Sequence, residues 1–313
     1  MWIWNQFRHL LYLGVAAFFL QLFALYPYYH YWEAIRRHSV RLHLLMGIMA
    51  AALILIWVIV LDGMGSYMLT PTDRPGRWPD PLNPTWLPLA LHRLIGDFVI
   101  AGYGLAGYAA WRLGRWERRS PETPNGTDPS AAYFGHVLKT GFAVGLIGLL
   151  LQPVTGLLYA HHIQRAAPDA YANLLHGRYQ ILLYLQFTLL GLLFIGSHVW
   201  IKTAQGVPRL AWRDLPLVLS VLLMIATAGY PILRRGFTFL AVALTIWQLL
   251  SSMEATSQNN VAFARPTVRR LSIGLGVVSL LMYLAMGTIR ETARHPDTVQ
   301  GIISLQDEVL RHR

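Results

Sequence analysis

Eight long runs of apolar residues alternate with short polar segments along the chain. Each run is close to the length of about 20 residues that an α-helix needs to cross the hydrocarbon core of a bilayer. The apolar residues are continuous rather than alternating, which indicates spanning helices and not the strands of a membrane barrel. The pattern predicts an all-α integral membrane protein with about eight transmembrane helices in a helical bundle. The predicted spans cover residues 10–29, 42–61, 87–111, 140–160, 179–201, 215–233, 237–253 and 271–288.

The composition agrees with this pattern. Of the 313 residues, 55% are hydrophobic and only 13% are charged, which is far from the balance of a soluble globular domain. Tryptophan and tyrosine cluster near the predicted span ends, as in "MWIWNQF" and "YPYYHYW", where such rings anchor helices at the membrane interface. Because the connections are mostly short, residues 1–313 are predicted to form a single transmembrane domain.

The distribution of Lys and Arg predicts the orientation. The connections after spans one, three, five and seven hold roughly twice as many of these residues as the remaining connections, and Lys- and Arg-rich loops face the cytoplasm. Both termini are therefore predicted to lie on the outer, periplasmic side. The net charge of +11 is explained by basic residues that set the topology and attract lipid headgroups. No nucleic-acid partner is therefore expected.

The absence of cysteine removes several redox centres. Without Cys the chain can form no disulfide, no iron–sulfur cluster and no covalently attached c-type haem. Twelve histidines remain, and many lie at the ends of predicted spans. Seven of them group at two depths. His92, His161, His162 and His176 lie near the outer side, and His43, His136 and His198 lie near the cytoplasmic side.

Grouped histidines at two depths favour haem binding. A polar side chain inside a span is costly unless it pairs or binds something. Histidines on several helices at one depth are typical of a non-covalent haem held between facing helices. The alternative interpretation is an interfacial histidine that binds a lipid headgroup or a backbone carbonyl.

Glycines and arginines beside the histidines add to the haem interpretation. Helices at the usual separation of about 8 to 10 Å leave no room for a porphyrin. Gly96 lies one turn from His92 and Gly47 one turn from His43, where small residues can make that room. The alternative is that these glycines form packing seams between helices.

Charged residues near His92 suit the propionates of a haem. Arg93 and Arg178 lie at the depth where a guanidinium can bind such carboxylates. Asp97, one turn further in, can orient a ligand imidazole, pass protons or pair with Arg93.

Three consecutive segments resemble helices of a known family. They are "LIWVIVLDGMGSYMLTP" (55–71), "PLNPTWLPLALHRLIGDFVIAGYGLAGYAAWRL" (81–113) and "VLKTGFAVGLIGLLLQPVTG" (137–156), and the helix before them, 14–38, is similar too. Their order, the proline-rich outer loop and the histidine after it resemble subunit I of the cytochrome bd quinol oxidases. The resemblance implies a shortened, divergent relative, which begins at the family's third helix and so lacks the first two.

The resemblance implies that His92 is the ligand of a low-spin b haem near the outer surface. In the family the second ligand is a methionine close to an arginine. The segment "HGRYQILLYLQF" (176–187) keeps Arg178 but has no methionine, and His176 is expected to replace it in a bis-histidine site.

Two departures from the family change the expected chemistry. Around residues 228–237 the sequence has arginines where the family offers a glutamate to its high-spin haem. The family's long outer loop, which engages quinol, is reduced here to residues 161–178. Oxygen reduction is therefore not expected.

The sequence thus predicts a b-type cytochrome subunit in the bacterial inner membrane. Its bis-histidine haem or haems would relay electrons between the quinone pool and a periplasmic redox partner, so the chain would be the electron-transfer subunit of an oxidoreductase complex. A second haem is expected at His43 and His198, and weaker ligand candidates are His9, His136, His161 and His162. Two alternatives stay open, a divergent quinol oxidase that reduces oxygen and a membrane scaffold without a cofactor.

Partners are expected because a lone cytochrome b rarely forms a complete enzyme. The sequence predicts other respiratory-complex subunits, among them a multihaem c-type cytochrome or an iron–sulfur protein, and quinone or quinol is a further candidate ligand. Residues 291–313 are predicted to form a short amphipathic C-terminal tail that docks a partner or lies on headgroups.

Overall fold

The computed structural model describes residues 2–71, 83–119, 129–207, 210–253, 265–301 and 303–304. The described chain is almost entirely helical, which confirms the predicted all-α fold. The helices are α1 (Trp2–His30), α2 (Trp32–His38), α3 (Val40–Leu69), α4 (Trp86–Arg119), α5 (Pro129–Ala166), α6 (Pro168–His176), α7 (Gln180–Ala204), α8 (Leu215–Ala226), α9 (Pro231–Met253) and α10 (Pro266–Ala293). A 3₁₀ turn (Trp212–Asp214) precedes α8, and a hairpin of β1 (Asp297–Val299) and β2 (Ile303–Ser304) follows α10.

Seven of the described helices are long and apolar enough to cross a membrane, namely α1, α3, α4, α5, α7, α9 and α10. The predicted span at 215–233 differs, because α8 has only 12 residues and is about 18 Å long. The chain leaves the helix after Ala226, and Pro231 begins α9. Pro disfavours helical geometry at the preceding residue. Because the run is apolar throughout, hydropathy alone does not predict this break.

The predicted connection at 161–178 is mostly helical. Helix α5 continues through it to Ala166, and α6 begins two residues later at Pro168. Pro168 lies at the first position of α6, where its missing N–H costs nothing. The segment therefore has little irregular backbone.

The chain divides into two compact units. Unit 1 comprises residues 1–91, 162–167 and 296–313, and unit 2 comprises 92–161 and 168–295. The single transmembrane domain over 1–313 stays a prediction.

Unit 1 is built on the packing of α1 against α3. Phe7 and Tyr67 meet edge to face with ring centroids 5.1 Å apart, and Met64 and Val299 are buried in the same cluster. Val299 belongs to the hairpin, in which Gln300 also donates its N–H to the carbonyl oxygen of Met68 at 3.0 Å. Part of the predicted amphipathic tail is thus extended chain packed on α3, and residues 305–313 lie outside the described residues.

Buried polar side chains close the end of α3 in unit 1. Asn83 donates to the Ser66 hydroxyl at 2.8 Å, and its carbonyl oxygen accepts from Thr70 at 3.1 Å. The hydroxyls of Thr70 and Thr85 are 2.6 Å apart. These bonds satisfy polar groups that would otherwise be costly inside a span, and they fix the start of α4.

Unit 2 packs α4 against α5 along a glycine seam. A Cβ built on Gly102 would overlap the backbone nitrogen of Gly145 and lie 2.7 Å from the carbonyl oxygen of Gly141. Only glycine permits this approach, so Gly102, Gly141 and Gly145 form a small-residue packing seam.

Helix α10 runs antiparallel to α4 in the same unit. Arg269, near the start of α10, forms an ion pair with Glu117 near the end of α4. Farther along, a Cβ on Gly276 would lie 3.0 Å from the Tyr103 carbonyl oxygen, so the backbones are close there. This register sets which residues of α10 reach the first turns of α4.

Candidate functional site

His92 is the centre of the best-defined polar site in unit 2. Its Nδ1 lies 3.2 Å from the Thr155 hydroxyl, and both residues are in helical segments that pack side by side. The amide nitrogen of Gln152 lies 3.2 Å from each ring nitrogen and 3.2 Å from the His92 carbonyl oxygen. Gln152 and Thr155 are one turn apart on α5, so a single face of that helix holds the imidazole.

Small and aromatic residues shape the space around this ring. A Cβ on Gly156 would lie 3.0 Å from His92 Cε1, so the ring needs glycine at that position. The Tyr159 ring stacks on the imidazole with centroids 6.0 Å apart. Gly96 faces the Gln152 amide, at 3.4 Å from a built Cβ. Gly96 therefore adjoins Gln152, the residue that contacts the His92 imidazole.

A small cavity of about 20 Å³, enough for about one water molecule, lies beside this site. Gln152 and Gly96 line it on one side, together with Met282, Tyr283 and Met286 of α10. The Oε1 atom of Gln152 is buried and has no hydrogen-bond partner in the part of the chain that the structure describes.

The two methionines were missed by sequence reasoning. Met282 and Met286 are four residues apart, so they share one face of α10. Apolar pairs at this spacing are common in spans, and only the register of α10 against α4 separates this pair from ordinary packing residues.

The predicted propionate partners have other contacts. Arg93 donates to the Tyr283 hydroxyl at 3.3 Å. Arg178 is exposed after α6, with its guanidinium carbon 5.8 Å from the centroid of the Tyr179 ring. His176 is exposed at the last position of α6. Their roles toward a haem stay predictions.

His198 takes part in a buried charged cluster. Its Nε2 lies 2.8 Å from Asp214 Oδ1, while Lys202 binds the other carboxylate oxygen. Burial by itself would raise the pKa of Asp214, but the hydrogen bonds from Lys202, the Ala211 N–H and His198 outweigh burial and lower that pKa to about 2. His198 Nδ1 is buried without a partner among the described residues.

His43 lies in an aromatic cluster of unit 1. Tyr28 stacks on it at 5.0 Å between centroids, and Trp32 meets it edge-on at 4.2 Å. A Cβ on Gly47 would lie 3.0 Å from the Tyr28 hydroxyl. The room that Gly47 provides is thus filled by Tyr28.

The weaker candidates are dispersed. His9 on α1 and His136 on α5 are exposed, and His161 and His162 are half-buried near the end of α5. Within the described ranges, no group of three or more His, Asp or Glu side chains is arranged to hold a metal ion.

Long apolar helices with histidine and methionine side chains between them define a helical membrane protein of the kind that holds a cofactor among its spans. The chain belongs to the cytochrome bd terminal oxidase subunit I family, whose model matches residues 5–312. The resemblance seen in the sequence is therefore confirmed. No curated protein matches the chain in a comparison of sequences.

Membership of this family defines the class of function. The chain is a haem-containing respiratory protein of the bacterial inner membrane, in a family of oxidases that interact with quinol. The side chains here fit such a group by their chemistry, because the His92 imidazole and the Met282 and Met286 thioethers are of the types that bind haem iron.

Proposed function

We propose that this chain is a b-type cytochrome subunit that relays electrons between the quinone pool and a periplasmic redox partner. The observation that carries the proposal is His92, whose imidazole is held by Gln152 and Thr155, with Gln152 and Met286 both lining the small adjoining cavity. Bound haem supplies one-electron chemistry, and an iron with two protein ligands has no open position for oxygen.

The second axial ligand has two candidates. His176 was proposed from the sequence, but its side chain is exposed at the end of α6. Met286 lines the cavity beside His92. From Gly276, which adjoins Tyr103, to Met286 is about 15 Å along α10, and from Tyr103 back to His92 is about 16 Å along α4. These lengths support Met286 at the depth of His92, so we favour it over His176.

A second haem at His43 and His198 remains part of the proposal. Each of these histidines also has a contact that needs no haem, the Tyr28 and Trp32 rings for His43 and Asp214 for His198. The haem count of the chain therefore decides this point.

An external redox partner follows from the composition. The chain has no Cys, so it cannot build an iron–sulfur cluster or attach c-type haem. We propose that a multihaem c-type cytochrome or an iron–sulfur subunit supplies these centres, with quinone or quinol as the membrane-soluble partner.

The test is a reduced-minus-oxidised spectrum of the purified complex, with a pyridine haemochrome count and with carbon monoxide added to the reduced sample. We expect b-type haem that does not bind carbon monoxide, and we expect His92→Ala to lose one haem per chain. His38→Ala, at the exposed last position of α2, is the control and should keep every haem.

Two results would contradict this function. A carbon monoxide-sensitive band assigned to this chain would favour an oxygen-reducing oxidase, which is the second candidate because of the family. Full haem content in His92→Ala would show that haem binds at another site and not at His92.

A further inference from the structure

The hydrogen bonds around His92 define which ring nitrogen carries a proton. Thr155 has one hydroxyl hydrogen, and its oxygen lies 3.1 Å from the Gln152 backbone carbonyl oxygen. The same oxygen lies 3.2 Å from His92 Nδ1. Since the carbonyl oxygen can only accept, Thr155 donates to it and is left to accept a hydrogen bond from Nδ1–H.

The Gln152 amide also contacts His92. Its nitrogen lies 3.2 Å from the His92 carbonyl oxygen, where an amide oxygen would be repelled, so the NH₂ group faces His92. One hydrogen goes to that carbonyl oxygen. The amide nitrogen also lies 3.2 Å from both Nδ1 and Nε2 of the ring, so Gln152 holds the imidazole without distinguishing its two nitrogens.

The Thr155 contact therefore leaves Nδ1 protonated and the Nε2 lone pair as the one that can bind a metal. We propose that Thr155 is a positioning residue that fixes the His92 tautomer and orientation, so that Nε2 is presented as the ligand atom for haem iron. This inference rests on the proposed function.

The proposal has an electronic consequence. A ligand imidazole that donates its second N–H to an oxygen becomes a stronger donor to the metal. A stronger donor stabilises ferric over ferrous iron, so Thr155 lowers the reduction potential of the haem. Removing its hydroxyl should therefore raise the potential.

The experiment compares Thr155→Val, which has nearly the same shape without a hydroxyl, with Thr155→Ser, which keeps the hydroxyl. Haem content and the midpoint potential of the purified complex are measured by redox titration. We expect Thr155→Val to keep haem and to shift the reduction equilibrium by up to about tenfold, or about 59 mV for one electron, toward the reduced form. Thr155→Ser should stay close to the wild type.

An unchanged potential in Thr155→Val, or equal shifts in both variants, would overturn the proposal. If Thr155→Val does not retain haem, Thr155→Ala replaces it. If Thr155→Val and Thr155→Ala lose haem while Thr155→Ser keeps it, the result supports a role for the hydroxyl. Loss of haem from all three variants would overturn the proposal. Failure of the proposed function is seen separately, because His92→Ala would then retain its haem.

Discussion

His198 Nε2 lies 2.8 Å from Asp214 Oδ1 in unit 2 and ties the end of α7 to the turn before α8. Lys202, one turn along α7, binds the second carboxylate oxygen. Gly206 ends this segment with a φ of +89°, a left-handed conformation that glycine adopts without strain. The chain after α7 is thus folded back onto its own helix.

We expect Asp214→Asn to lower the free energy of unfolding by about 3 kcal/mol, because it leaves Lys202 buried without its countercharge. The measurement is thermal unfolding of the detergent-solubilised protein. Glu33→Gln is the control, because Glu33 pairs with Arg36 on the surface and should contribute less than about 1 kcal/mol. Equal stability of the two variants would contradict this role.

Acid should weaken the same cluster. The pKa of Asp214 is lowered to about 2 from its ordinary value of 3.8, so the ionised form contributes about 2 kcal/mol to stability above about pH 4. That contribution is lost as the pH falls from about 4 toward 2. We expect the stability difference between the wild type and Asp214→Asn to narrow over this interval, and a constant difference would be inconsistent with a depressed pKa.

The glycine seam gives a prediction with a matched control on the same helix. Gly102→Ala places a Cβ against the backbone of Gly145, which cannot move without separating α4 from α5. We expect a loss of about 1 to 3 kcal/mol and a lower thermal midpoint. Gly104→Ala, whose Cβ meets no described atom within 4 Å, should be neutral or slightly stabilising. Similar thermal midpoints for Gly102→Ala and Gly104→Ala would contradict close packing of α4 and α5 at Gly102.

The second axial ligand can be identified by spectroscopy. If Met286 binds the iron opposite His92, Met286→Leu should change the electron paramagnetic resonance and near-infrared spectra of the ferric haem. Its potential should fall by more than about 59 mV, because thioether ligation raises the potential. His176→Gln should leave both unchanged. The reverse outcome would restore the bis-histidine site proposed from the sequence.

The orientation can be tested by labelling, because the chain has no native Cys. The Lys and Arg distribution predicts that a cysteine added at either terminus is labelled by a membrane-impermeant reagent from the periplasmic side. Ser39→Cys, between α2 and α3, is the cytoplasmic control. Labelling of the two termini from opposite sides would show that α8, about 18 Å long, does not cross.

The sequence predicted the helices well wherever apolarity alone decides. Seven of the eight predicted spans correspond to long helices, because a continuous apolar run must satisfy its backbone internally in lipid. It failed at α8, where the break before Pro231 depends on backbone geometry that average hydropathy does not record. It also missed α6, whose residues are too mixed to stand out from a loop.

For the candidate site, the sequence identified His92 and Gly96 but none of their partners. Depth within a span and one-turn spacing are visible along a single helix. Gln152 and Thr155 lie about sixty positions later in the chain, and only the packing of α5 on α4 brings them to His92. The role of Asp214 beside His198 was hidden for the same reason.

The antiparallel pair α4 and α10 is tied near both ends, by Glu117 with Arg269 and by Arg93 with Tyr283. Two such ties oppose sliding of one helix past the other. If the proposed haem is held between these helices, the ties would limit changes in the spacing of its two protein ligands.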